Sequence, residues 1–216
     1  MFASIRRYRL HRGSMEALTR RVDEEFAEAI GRQPGFVAYE FMDCGDGEIL
    51  TLSVFGEDAQ AEASRALAQQ FTEESLQDFE FSRLDTLRGE ILVSRAMQDM
   101  LEPGHVGAAR KFASVRRYEW RSGAVGELMH MVDEMFADRI EAMDGFDAYH
   151  ALDCGGGEIT SISLFRDQAA AEASDELALE FVRKELGRFE IERTEVIGGE
   201  VLVSRAMAEL LEPAHA

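Results

Sequence analysis

Shifted by 110 residues, the sequence matches itself. Phe2-Ala3-Ser4-Ile5-Arg6-Arg7-Tyr8 returns as Phe112-Ala113-Ser114-Val115-Arg116-Arg117-Tyr118, and Asp43-Cys44-Gly45 returns as Asp153-Cys154-Gly155. Gly89-Glu90-Ile91-Leu92-Val93-Ser94-Arg95 returns as Gly199-Glu200-Val201-Leu202-Val203-Ser204-Arg205. The offset holds from Phe2 to Pro103 without insertion or deletion, and about half of the paired positions are identical. The chain is therefore read as one domain written twice, over residues 1–103 and 112–216, joined by a linker at 104–111.

Each copy reads as β-α-β-β-α-β. Residues 2–10 form a strand, Gly13-Ser14 turns the chain, and Ser14 offers a helix N-cap. Met15, Leu18, Val22, Phe26 and Ile30 follow at helical spacing up to the stop at Pro34-Gly35. Residues 36–43 and 48–55 make a hairpin around Gly45-Asp46-Gly47. A second helix from about Asp58 presents Ala59, Ala63, Leu67 and Phe71 on one face, and strand follows over 79–86 and 89–95. This order predicts an α+β fold: two tandem ferredoxin-like domains packed sheet to sheet as a pseudo-dimeric α+β barrel. In the third strand the apolar row Leu50, Leu52 and Val54 is expected to face the helices. The mixed row, Ile49, Thr51, Ser53 and Phe55, is then left for the other copy, with a cavity at the seam between the sheets.

Composition removes several function classes. A net charge of −19 argues against nucleic acid and against an anionic membrane surface. No apolar run reaches the length of a membrane span, and Met1-Phe2-Ala3-Ser4-Ile5-Arg6 reads straight into a strand, so a cytoplasmic location is expected. Cys44 and Cys154 have no His or Cys at a zinc-ligand spacing and read as reduced thiols; no metal site is expected.

Phe2–Tyr8, the Arg12-Gly13-Ser14 turn, Gln33-Pro34-Gly35-Phe36-Val37-Ala38-Tyr39, and Ser53-Val54-Phe55 leading into an Ala-rich helix resemble the antibiotic biosynthesis monooxygenase (ABM) domain. The resemblance covers essentially the whole of each copy. It implies a dimeric α+β barrel and a monooxygenase without cofactor, acting on a polycyclic quinol or phenol. Haem-degrading relatives of that fold use an asparagine, a tryptophan and a histidine. By alignment these positions hold Arg7, Phe55 and Arg65 in the first copy and Arg117, Phe165 and Asp175 in the second, so that route is not expected here.

The residues that could carry chemistry each have a plainer reading. One arginine of Arg6-Arg7, and one of Arg116-Arg117, must point away from water, because adjacent strand residues face opposite ways. Arg7 and Arg117 are taken as anchors for an anionic or phenolate group, against the alternative of ion pairs with Glu80, Glu90, Glu190 or Glu200. Tyr39 and Tyr149 could donate a hydrogen bond to a ligand or simply be core. Glu40 and His150 occupy one position in the two copies and could act as an acid–base pair, or point outward. Ser53, Phe55, Ser163 and Phe165, with Glu40, are expected to contact a small hydrophobic or aromatic substrate. The alternatives to an enzyme are a ligand-binding module and an assembly protein without a ligand, with the internal pseudo-dimer open to further oligomerisation.

Overall fold

Strand β1 (Phe2–Arg12) pairs antiparallel with β3 (Glu48–Phe55), placing Arg6 opposite Thr51 and Arg7 opposite Leu50. On the other edge of β3 lies β2 (Phe36–Gly45), with Tyr39 opposite Ser53 and Glu40 opposite Leu52. In the computed structural model residues 1–96 and 110–206 are described. The expected linker at 104–111 falls outside them except for its last two residues.

Gly13, at φ +111, turns the chain out of β1, and a Cβ there would sit 2.4 Å from the Phe79 ring; Gly123 meets Phe189 in the same way. Ser14 then caps α1 (Met15–Arg21), accepting a hydrogen bond from the Ala17 amide. The helix does not stay regular. It passes through a π-helical turn at Val22–Phe26 before α2 (Ala27–Gly31), and the second copy repeats this with α4 (Val125–Val132), a π turn at Asp133–Ala137 and α5 (Asp138–Glu141). The spacing explains why. Leu18, Val22, Phe26 and Ile30 recur every fourth residue, which drifts off one face of a 3.6-residue helix; a wider turn brings all four back to the sheet, where all are buried.

Helix α3 (Asp58–Ser75) buries Ala61 and Ser64 and packs Leu67, Ala68 and Phe71 on the core, leaving Ala59 and Ala63 exposed, against the expected face. After it runs β4 (Glu80–Ala96), one continuous strand of 17 residues where two pieces were expected. The second copy holds β5 (Lys111–Glu119), β6 (Phe146–Gly155), β7 (Glu158–Phe165), α6 (Gln168–Glu185) and β8 (Glu192–Ala206).

Two ferredoxin-like sheets packed face to face are not what forms. The eight strands make one closed barrel in the order β1-β3-β2-β8-β5-β7-β6-β4. The reason is the length of the last strand of each copy. At ~3.3 Å per residue β4 reaches ~56 Å, far past the sheet it starts in. Its second half, from Glu90, pairs with β6. The chain forms two compact units accordingly: the first takes residues 1–88 and 201–206, the second 89–96 and 110–200.

The two faces of β3 are also the reverse of expectation. Ile49 and Phe55 belong to the core formed with Leu18, Val22, Phe26 and Ile30, so the mixed row faces the helices. Leu50, Leu52 and Val54 are buried on the opposite face. Arg6 lies across from Thr51 on the helix-facing side, and its hydrogen bond goes to the Ser53 hydroxyl of the mixed row. Among the described residues no helix is long and apolar enough to cross a membrane.

A chain cut to residues 1–103 lacks the 201–206 segment beside β2 and carries an 89–96 segment with no β6. Size-exclusion chromatography is expected to show a dimer in which two such chains exchange these segments, and a folded monomer would contradict the strand order.

Candidate functional site

In the first unit a cavity of about 540 Å³, counting its mouth, opens between the sheet and the helices. Its floor is the polar row of the sheet, with Arg6, Tyr8, Tyr39 and Thr51; its roof is Phe26, Phe71, Thr72 and Leu76. The aromatic rings set its walls. Phe26 meets Tyr39 edge-on at 5.2 Å and Phe71 at 5.1 Å, while Tyr8 meets Phe81 edge-on at 5.8 Å. The cavity therefore lies under the helices, not at the seam where it was expected.

Arg6 is the chemically unusual group. Only 6% of it is exposed, and among the described residues its one hydrogen bond to a side chain is a long one, 3.4 Å to the Ser53 hydroxyl. Among the described residues it forms no ion pair. Glu62, the nearby carboxylate, is held by Arg65 and Arg88. Burial pulls the Arg6 pKa below its ordinary value, and burial pushes the Tyr8 and Tyr39 phenols above theirs, so both tyrosines are neutral donors at physiological pH.

The second unit keeps the frame and loses this feature. Arg116 is fully buried, and it donates to Asp175 at 2.6 Å, to the Ser163 hydroxyl at 2.8 Å and to the Ser174 hydroxyl. Ser114 also donates to Asp175. In the first copy Ser4, Ser53 and Ser64 stand at the serine positions, but Arg65 replaces Asp175. The second cavity is about 390 Å³; Tyr118, Tyr149, Phe136 and Phe181 line it, Val182 stands in place of Thr72, and Arg116 is not in its wall.

The other expected site residues are spread over both sheet faces. Arg7 lies on the face away from the cavity and pairs with Glu48 at 2.5 Å; Arg117 pairs with Glu158 at 2.6 Å and Glu195 at 3.5 Å. Both arginines thus form ion pairs, though not with the glutamates named from sequence. Phe55 and Phe165 are fully buried edge-on against Phe36 and Phe146. Ser53 and Ser163 serve as acceptors for Arg6 and Arg116. Glu40 is buried and accepts from the Ser204 hydroxyl at 3.0 Å, and His150 meets the Ser94 hydroxyl at 3.0 Å, so each has a serine within its own unit. Of the Arg6-Arg7 pair it is Arg6 that reaches the cavity, and Tyr8, Thr51 and Thr72 line it without having been named as site residues. The signal for Arg6 was its register opposite the one polar row of β3.

Cys44 and Cys154 are free, and burial raises both thiols, Cys44 to about 12, which leaves them unreactive. Among the described residues no group of three His, Cys, Asp or Glu is placed to hold a metal ion.

A candidate monooxygenase of Fusobacterium nucleatum superposes with a TM-score of 0.69 at 8% identity, covering 95% of this chain and 94% of its own. The likeness is one of fold. A candidate monooxygenase of Lactobacillus acidophilus gives 0.67 at 10% identity, with 95% of each chain covered. An anthrone oxidase-like protein gives 0.58 at 13% identity, covering 99% of this chain and 97% of its own. No family model and no curated protein matches the sequence.

Burial holds the His150 pKa down at about 4, below its ordinary 6.5. The unfolded chain takes up a proton there below pH 6.5 while the folded one stays neutral, so this residue lowers stability as pH falls from 6.5 towards 4. Urea unfolding is expected to show a loss of up to about 3 kcal/mol across that window that His150→Gln removes. Identical pH slopes for the two proteins would contradict it.

Proposed function

We propose that the protein is an ABM-like monooxygenase that works without a cofactor on an aromatic substrate held in the cavity of the first unit. One observation carries this reading: a buried guanidinium that forms no ion pair among the described residues is part of the wall of an aromatic-lined cavity. Such a cation stabilises a phenolate far more than bulk water does, because the desolvated site screens it little. Tyr39 and Tyr8, held neutral, can donate to the same oxygen.

An ionised polycyclic phenol or anthrone is itself an electron donor to dioxygen. In the net reaction a ring CH2 becomes C=O: two C–H bonds and the O–O bond break, one oxygen atom enters the carbonyl, and the other leaves as water with both hydrogens. All four electrons come from that carbon, so no other reductant enters the balance. The residues of the chain ionise and orient the substrate and keep water from it. The fold neighbours described as candidate monooxygenases and as anthrone oxidase-like support the reading.

A second reading, ligand binding without turnover, is favoured by one observation: no residue lining the cavity is a carboxylate or an imidazole, so the wall offers no ordinary base.

Oxygen uptake by the purified protein with anthrones, naphthols and quinols decides between them. Uptake matched to substrate consumed is expected, falling about 10²-fold in Arg6→Met and staying near the original in Arg7→Met. No protein-dependent uptake, or equal losses in the two variants, would sink the oxygenase reading.

A further inference from the structure

The two copies share a buried arginine and three serines and differ in one carboxylate. In the second unit Asp175 completes the set, drawing Arg116 against α6 through Asp175 and Ser174. In the first unit the partner position carries Arg65, which points to solvent and pairs with Glu62. Ser64 still donates to the Ala61 carbonyl at 2.7 Å, as Ser174 does to Ala171 at 2.6 Å, so the helix backbone is in the same state in both. The charges near Arg6 are Arg83, which repels it, and Glu62, which attracts it from outside ion-pair distance and is itself paired with Arg65 and Arg88. The first cavity thus holds a buried cation without the directly paired carboxylate of the second unit, next to space that the second unit has partly closed.

We propose that the first cavity takes an aromatic ligand bearing an anionic oxygen group, and that this group supplies to Arg6 the charge that Asp175 supplies to Arg116. The second unit is a permanently occupied version of the same site, with its own side chain as the anion, and it binds no such ligand. A carboxylate or an acidic phenol satisfies the chemistry equally: one anionic oxygen to the guanidinium, and a flat apolar body between Phe26, Phe71 and Phe81. The inference rests on the first cavity being the site, as proposed above, and not on oxygen chemistry.

The test uses the full chain, Arg65→Asp and Arg6→Met, with 1-naphthoate and the neutral 1-naphthalenemethanol as probes in isothermal titration. Circular dichroism follows the fold. Arg65→Asp restores the carboxylate of the second unit and should fold, since the same side chains already pack there. The expected result is one naphthoate per chain, bound at least about tenfold more weakly by both variants, while the alcohol changes less than about threefold. Naphthoate binding that survives both substitutions, or alcohol binding that falls in parallel, would overturn the inference. An unfolded Arg65→Asp would also overturn it. The expected binding pattern with no oxygen uptake on any substrate would remove the oxygenase reading alone. Oxygen uptake that depends on Arg6, with naphthoate binding unchanged in both variants, would remove this inference alone.

Discussion

A guanidinium buried without a counter-charge is unfavourable by several kcal/mol, and the first unit is organised around that fact. Arg6 sits on the polar face of a sheet, facing helices that are otherwise apolar, with one long hydrogen bond to Ser53. It shares the face of β3 that turns towards the helices with Thr51 and Ser53. It leaves space that apolar side chains do not fill, and it gives that space a positive wall. The surrounding aromatic rings make the space suited to a flat ligand, and the neutral tyrosines add donors without adding charge.

Duplication explains how such a site can persist. A homodimer would place the same residue at both positions, so pairing one arginine would pair the other. Two copies in one chain are free to diverge, and here a single helix position, Arg65 against Asp175, separates an open site from a closed one. The second unit then contributes stability: a fully buried Arg116 with charged and hydroxyl partners, and an apolar cluster in which Phe181 and Val182 stand over the smaller cavity. Its strand 89–96 and the first unit's 201–206 segment come from the other copy in sequence, so neither half of the chain holds a complete unit.

The repeat and the strand and helix order were legible because each depends on periodicity or spacing. The errors came where two arrangements satisfy the same pattern. Alternation requires one of Arg6 and Arg7 to face inward but does not say which, and the rule that the most apolar row meets the helices misjudged β3. Counting hydrogen-bonding needs would have corrected both, since only the row with Thr51 and Ser53 can meet a buried arginine. The closed barrel differs from the expectation because strand was expected in two pieces, over 79–86 and 89–95; unbroken, β4 is too long for one sheet. The difference between Arg65 and Asp175 was visible, but its meaning depended on knowing what lies beneath the helix.

Urea unfolding of Arg6→Met and Arg116→Met, measured side by side without any ligand, tests the central claim most directly. Arg6→Met removes a buried charge that no ion pair holds, and should leave stability within about 0.5 kcal/mol of the original or raise it. Arg116→Met strips Asp175, Ser163 and Ser174 of their partner and should lose about 2 kcal/mol or more. Equal losses in the two variants would mean that Arg6 is as well satisfied as Arg116, and would contradict the account.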